Sequence, residues 1–280
     1  MLSANPFAEL SALIPPAVMQ AYIVLMVVLV FLGTVLDMLH KGSAQYFFEN
    51  TRKARQSAKR QLGGGEKFGI AVQTVANEVL TSAEFKNPRR RVSHLFMMYG
   101  FVLFAVSTAV LIFCYPTAAD AGIWPVLWHL GALALCFGGY WFWLFIRVDV
   151  AAEGVKWYHF NGRGDLFIVG LISTATFALL WSLTQGAGGL NRLFLVLFVA
   201  ASGVLFGTVY WSKFAHMFFK PAAAFQKRCT QADGSRENLP DDYDLTDPTV
   251  QARYPDIPAY MGTNPPNMGR GFSGERPSHY

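Results

Sequence analysis

Long apolar stretches separated by polar segments dominate the chain from residue 17 to residue 214. A helix needs about 20 predominantly apolar residues to cross the hydrocarbon core of a bilayer, and five stretches are near that length. They are Ala17 to Leu39, Leu95 to Tyr115, Trp124 to Ile146, Leu166 to Leu183 and Leu193 to Phe214. The pattern therefore predicts an all-α integral membrane bundle of five transmembrane helices.

The polar segment 41–93, between the first two spans, is too long for a plain loop. After a break at Gly63 to Gly65, apolar residues recur with the period of a helix that has one apolar face. This stripe consists of Phe68, Val72, Val75 and Val79. We expect Glu66 to Glu84 to form a cytoplasmic amphipathic helix. It would either lie among acidic lipid headgroups or pack its stripe on the rest of the protein.

The C-terminal part of the chain differs in composition from the spans. Residues 221–280 contain eight of the 14 Pro and eight acidic residues, with almost no periodicity. This composition predicts an extended tail, either loose or laid on a partner. The chain thus divides into an external N-terminus at 1–16, a five-span membrane domain at 17–220 and a Pro-rich cytoplasmic tail at 221–280.

The overall composition excludes several classes of protein. Hydrophobic residues make up 53% of the chain and charged residues 15%, with a mean hydropathy of +0.30. An ordinary soluble protein or a disordered chain does not have this balance. Cys114, Cys136 and Cys229 lie far apart without a C-x-x-C pair. A disulfide scaffold, a zinc site and an iron–sulfur cluster are therefore not indicated.

Lys and Arg are distributed very unevenly between the two sides of the predicted membrane. Of the 23, eleven lie in Lys41 to Arg91, three in Arg147 to Arg163 and eight from Lys213 onward, whereas Arg192 lies on the other side. The positive-inside rule predicts a multi-pass protein of the cytoplasmic (inner) membrane, with the N-terminus outside and the C-terminus in the cytoplasm. The net charge of +5 is explained by this topology, and no nucleic-acid partner is indicated. Met1 to Pro16 has no basic residue, so a cleaved signal peptide is not predicted.

The histidines carry the candidate redox chemistry. His94 opens the second predicted span and His216 closes the fifth, so both should lie at one depth near the cytoplasmic face. Two imidazoles that face each other across a helix bundle are the axial ligands of a b-type haem. Arg91 and Lys213 would offer cations to the haem propionates. The alternative is that these are ordinary interfacial residues that anchor the helices.

Three other histidines are candidates for haem or quinone binding. His129 lies toward the outer end of the third span, where it would bond a quinone carbonyl, donate to a backbone carbonyl or ligate iron. His40 and His159, with Asp37 and Lys213, would line a quinone pocket near the inner headgroups, or belong to the interfacial belt. No carboxylate occupies the middle of a span, which disfavours a pump or an ion-coupled transporter.

Two stretches resemble a family of membrane cytochromes. Residues 85–101, FKNPRRRVSHLFMMYGF, resemble the start of the second span in respiratory nitrate reductase gamma subunits. That family includes the membrane subunits of heterodisulfide reductase and of the quinone-interacting oxidoreductase complex. Residues 210–218, YWSKFAHMF, resemble the end of the fifth span in the same family. The Pro-rich tail, with YPDIP at 254–258, is most similar to the membrane anchor associated with adenylylsulfate reductase.

The resemblance implies a cytochrome b-like anchor that exchanges electrons between the soluble alpha and beta subunits of adenylylsulfate reductase and the quinone pool. By the motif match, His94 and His216 would hold the haem nearer the cytoplasm. Where the family has two further ligands, this chain has Phe104 and Phe198. One haem b is therefore expected, with quinone in the same half of the membrane and the sulfur chemistry left to the partner. The alternatives are a haem-free structural anchor and a small transporter or lipid-binding protein.

Overall fold

The structure is a computed structural model that describes residues 2–83, 85, 87–147, 156, 158–236, 239 and 247–253. Within these residues every regular element is a helix. Five helices are long and apolar enough to cross a membrane, so the predicted all-α membrane bundle is confirmed. The helices are α1 (Pro6–Leu10), α2 (Pro16–Lys41), α3 (Ser43–Ser57), α4 (Gly64–Thr74), a π-helix (Val75–Leu80), α5 (Pro88–Cys114), α6 (Trp124–Phe145), α7 (Gly162–Leu183), α8 (Gly189–Gly207), α9 (His216–Ala232) and α10 (Pro248–Arg253).

The second spanning helix begins earlier than the hydropathy pattern predicts. α5 starts at Pro88 instead of near Leu95, because Asn87 caps it and accepts hydrogen bonds from the backbone N–H groups of Arg89 and Arg90. Proline at the first position of a helix has no N–H to leave unpaired. His94 consequently lies in the second turn of α5 and does not open it.

The fifth spanning helix ends earlier than predicted. α8 stops at Gly207, and turns follow until His216, so the prediction of a span from Leu193 to Phe214 is wrong at both ends. Hydroxyl groups bond the backbone around this boundary: Thr208 Oγ1 donates to the Val204 carbonyl at 2.6 Å, and Ser212 Oγ accepts from the Phe214 N–H at 3.2 Å in the turns that follow. Such local bonds compete with helix hydrogen bonding. His216 therefore opens α9 instead of closing the fifth span.

The tail does not begin as an extended chain. Residues 221–232 belong to α9, which packs against α3, α4 and the π-helix. The prediction of an extended segment is wrong for these residues, and α10 adds a short helix further along. The rest of the predicted tail, 254–280 included, lies mostly outside the described residues.

The five spanning helices form a closed ring. α5 packs against α6, α6 against α7, α7 against α8, and α2 closes the ring by touching both α8 and α5. Glycines bring three of these helices close together. A Cβ on Gly131 of α6 would lie 2.6 Å from the Phe104 backbone nitrogen of α5, and one on Gly139 would lie 2.6 Å from Ile172 Cγ1 of α7. Small residues permit such approach in membrane bundles.

Aromatic side chains fill the centre of the ring. Phe7 of α1 packs on Trp128 and Trp181, with ring centroids 5.8 Å and 5.3 Å away. Asn5 holds α1 at this end of the ring, since its amide donates to the carbonyls of Tyr115 at 2.7 Å and Ala118 at 2.9 Å. The segment predicted as an external N-terminus therefore includes a short buried helix that closes one end of the ring.

The glycine contacts generate a stability prediction. We expect Gly131→Ala to destabilise the protein by about 1–3 kcal/mol, because the new methyl group meets the α5 backbone, which cannot move aside. Gly207→Ala is the matched control, since nothing lies within 4 Å of its Cβ position. Thermal unfolding in detergent, followed by tryptophan fluorescence, measures the difference. Equal melting temperatures for the two variants would contradict this packing of α5 on α6.

Candidate functional site

The chain topology brings His94 and His216 to the same end of the ring. We call this the basic end; it carries α3, α4 and α9. α5 enters the ring there, and His94 is in its second turn. α8 leaves the ring at the same end, and His216 follows as the first residue of α9.

The face of α5 that carries His94 is directed toward the turn that carries His216. Phe101 lies two turns beyond His94 on that face, since residues seven apart in a helix align. Its ring centroid is 6.4 Å from that of Phe206 and 6.3 Å from that of Phe214. Phe214 precedes His216 by only two residues.

His94 is half-buried, and among the described residues Ser82 and Phe85 contact it from the segment that precedes α5. Its Nδ1 lies 3.0 Å from Ser82 Oγ, and its ring centroid lies 4.9 Å from that of Phe85. The Nζ of Lys220 in α9 lies 5.5 Å from the centre of the Phe85 ring. The Phe85 ring thus contacts both His94 and Lys220, which lies in the helix that begins with His216.

His216 is half-buried as well. Its Nδ1 contacts the backbone carbonyl oxygen of Lys213. Its ring packs edge-on against Phe167 of α7, with centroids 5.6 Å apart, and Phe167 also contacts Phe214 at 5.4 Å. Aromatic contacts therefore hold this imidazole against α7.

The donor chemistry of the two imidazoles fits a b-type haem. In metal-ligating histidines, one ring nitrogen usually donates its hydrogen to an oxygen, which orients the ring and makes the other nitrogen the ligand. Nδ1 of His94 faces a hydroxyl oxygen and Nδ1 of His216 faces a carbonyl oxygen. The two Nε2 atoms are thereby the candidate ligands.

The two deeper positions that the family resemblance singled out also face each other. Phe104 and Phe198 have ring centroids 6.4 Å apart. Phe104 further contacts Trp128 at 5.2 Å, and Phe198 stacks on Trp181 at 5.8 Å. These rings contribute packing at this depth and no atom that can ligate iron.

The candidate cations lie at the basic end but differ in their contacts. Arg91 donates from Nε to the Thr81 carbonyl at 2.7 Å, so part of its guanidinium holds the backbone in place. Lys213 is exposed in the turn between α8 and α9. Lys220, which the sequence analysis did not select, lies one turn into α9 over Phe85.

His129 occupies a buried hydrogen-bonded position away from the other candidates. Its Nδ1 lies 2.7 Å from the Pro125 carbonyl oxygen and its Nε2 lies 2.8 Å from Ser182 Oγ of α7. Of the three roles that the sequence left open, donation to a backbone carbonyl is the one that the geometry matches. The imidazole ties α6 to α7.

The structure does not bring His40 and His159 together in the one quinone pocket that the sequence predicted. Asp37 is buried near the basic end of α2, with Oδ1 2.5 Å from Lys41 Nζ, and the ring of His40 packs on Tyr210 at 5.6 Å. His159 is exposed before α7, where its carbonyl accepts from Arg147 at 2.6 Å. α2 and α7 are not neighbours in the ring, so His159 lies apart from His40.

Three elements form a cap over the basic end: α3, α4 with its π-helix, and α9. Gln226 of α9 donates to the Phe47 carbonyl at 2.9 Å, and Arg228 pairs with Glu78 at 2.7 Å. At the start of α4, hydrogen bonds from Arg60 and from the Gly63 N–H hold the pKa of Glu66 below its usual value. Burial raises the pKa of the Cys229 thiol in α9.

The apolar stripe of the predicted amphipathic helix points away from the protein. Phe68 is 72% exposed, and Val72 and Val75 are about half exposed, so the alternative in which the whole stripe packs on the rest of the chain does not hold. Thr74, on another face of α4, is buried and donates to the Ile70 carbonyl. Phe68, Val72 and Val75 thus give α4 and the start of the π-helix an exposed apolar face.

Sequence reasoning missed Ser82, the hydroxyl partner of His94. The pattern predicted one continuous helix to Glu84, whereas the chain changes to a π-helix at Val75 and leaves helical structure after Leu80. No sequence signal marks this change, because serine is not a typical residue for the backbone conformation that it adopts there.

Comparison with known proteins gives no match: no family model, no curated protein and no solved structure is similar to the chain.

The Glu78–Arg228 pair generates a prediction about the cap. The two side chains are 21% and 24% exposed, so water screens them only in part. We expect Arg228→Glu to loosen α9 by about 1 kcal/mol and to speed amide exchange in 216–232 about fivefold. Hydrogen–deuterium exchange measures this rate.

Exchanging the two charges, in Glu78→Arg with Arg228→Glu, should restore slow exchange. Arg52→Glu, at an exposed position of α3, is the control for the change in net charge. Equally fast exchange in the single and the double variant would show that this pair does not hold the cap together.

Proposed function

We propose that this chain is the membrane electron-transfer subunit of an oxidoreductase complex. It passes electrons between a cytoplasmic adenylylsulfate reductase and the quinone pool through one haem b held by His94 and His216. The observation that carries the proposal is the placement of these half-buried imidazoles, each with Nδ1 against an oxygen, at one end of a five-helix ring. When bound, haem supplies one-electron transfer. The chain itself ligates, buries and orients the group.

A haem-free structural anchor is the second candidate. The contact between Phe104 and Phe198 favours it, because phenyl rings fill the depth at which the resembled family has its second pair of ligands. Both candidates place the protein in the cytoplasmic membrane with the cap in the cytoplasm. They differ in whether the histidines at the basic end hold iron.

The haem content of the purified chain separates the two candidates. We expect the pyridine haemochrome assay to find about one haem b per wild-type chain. His94→Ala and His216→Ala should each lose most of it, because one of the two imidazoles that would hold the haem is then missing. His40→Ala is the matched control, since it removes an exposed imidazole at the same end of the ring.

A wild-type chain without a b-type band would favour the structural anchor. Full haem content in either His94→Ala or His216→Ala would remove that residue from the ligand pair. Circular dichroism of every variant shows whether the helices are intact.

Quinone is assigned to the basic end beside α2. A quinone site needs flat apolar walls and a group that exchanges protons. Asp37 is a buried carboxylate of α2, and the ring of His40, one turn further along the same helix, packs on Tyr210. Placing quinone at this end also keeps it in the same half of the membrane as His94 and His216.

The soluble partner is assigned to the cap, which exposes Arg52, Lys53 and Arg55 on α3, and to the tail. Removing the chain from Pro221 onward would delete most of α9 and with it the packing of the cap. A truncation after Arg236 avoids this, because it keeps all of α9.

We expect truncation after Arg236 to release adenylylsulfate reductase activity from membranes into the soluble fraction, while the haem content of the membranes stays unchanged. Fractionation by ultracentrifugation, with activity assayed in pellet and supernatant, measures the release. A chain truncated after Arg253 is the control that shows which part of the tail matters. Activity that remains in the pellet with both truncations would rule out the tail as a docking segment.

A further inference from the structure

Ser82 combines complete burial with an unfavourable backbone conformation. It is 0% exposed, and its φ is +48°, in the left-handed region that glycine and asparagine enter far more readily than serine. A residue stays in such a conformation only where its surroundings fix it, and these residues cluster at functional sites.

The side chains of α5 fix this segment through three successive residues. Tyr99 Oη donates to the Leu80 carbonyl at 2.7 Å, and Arg91 Nε donates to the Thr81 carbonyl at 2.7 Å. Ser82 Oγ then lies 3.0 Å from His94 Nδ1. Three contacts from one helix thus determine where the serine hydroxyl stands relative to the imidazole.

α9 holds the same segment from the other side. Arg228 pairs with Glu78 in the π-helix at 2.7 Å, and Lys220 lies over the Phe85 ring. Since α9 begins with His216, the element that carries one imidazole also holds the segment that contacts the other. The position of Ser82 is therefore coupled to both candidate ligands.

We propose that Ser82 is a positioning residue for His94. Its hydroxyl oxygen accepts the hydrogen of Nδ1, which fixes the rotation of the ring and leaves Nε2 as the ligating atom. This inference rests on the proposed function, because it gives Ser82 a role toward the haem. An acceptor at Nδ1–H raises the basicity of an imidazole ligand and so stabilises oxidised iron. Loss of the hydroxyl should therefore raise the midpoint potential.

The test compares Ser82→Gly and Ser82→Ala with Tyr99→Phe in the purified full-length chain. Glycine suits a positive φ, so Ser82→Gly removes the hydroxyl without imposing strain. Tyr99→Phe removes a hydrogen bond to the same segment but none to His94, so it controls for simple loosening of the segment. The readouts are haem content and the midpoint potential from a spectroscopic redox titration.

We expect both Ser82 variants to bind haem at least about tenfold more weakly and to have a more positive midpoint potential, with Tyr99→Phe close to wild type. If Ser82→Gly keeps the wild-type affinity and potential, or if Tyr99→Phe shifts as far as Ser82→Gly, the positioning role is overturned while the proposed function stands. A wild-type chain without haem overturns both.

Discussion

Contacts between aromatic rings in the centre of the five-helix ring are the interaction on which the rest of the structure depends. In a bilayer no hydrophobic effect drives helices together, so van der Waals packing and internal hydrogen bonds must hold the bundle. Glycines at positions such as Gly131 let α5 and α6 meet backbone to backbone, and large rings fill the space that these close contacts leave between α5 and α8. Trp128 contributes both packing and a hydrogen bond, because its indole packs on Phe104 and its Nε1 donates to Thr108 Oγ1 at 2.9 Å.

The same packing limits where the proposed redox group could bind between the helices. Toward the end that Phe7 closes, Phe104, Phe198 and their tryptophan neighbours are in mutual contact. His94 and His216 lie at the opposite, basic end of the ring, where the cap begins. The proposed electron transfer would therefore be confined to one half of the membrane. The sites proposed for quinone and for the soluble partner are both on that side.

The sequence predicts the spans well and the site in part. Hydropathy locates all five helices because each must be apolar along its length, and it errs where a local polar group decides a boundary, as at Asn87 before α5, or where an apolar run continues into turns, as after Gly207. α9 was missed because the proline and acidic content of 221–280 was taken for the segment as a whole, whereas Pro221 is the only proline in 216–232 and no acidic residue lies there. His94 and His216 could be selected from their place in the topology. Ser82 could not, because a serine with positive φ is stable only through contacts with residues such as Tyr99 and Arg91 that the local sequence does not reveal.

The pairing of Glu78 with Arg228 also bears on the biogenesis of the protein. The two residues are 150 positions apart in the chain, and the whole of the membrane domain after the π-helix is synthesised between them. While the ribosome is still making the first four spans, the segment before α5 has neither Arg228 nor Lys220 to hold it. The proposed haem site would be complete only once α9 has left the ribosome, so haem would enter the inserted membrane domain and not the nascent spans.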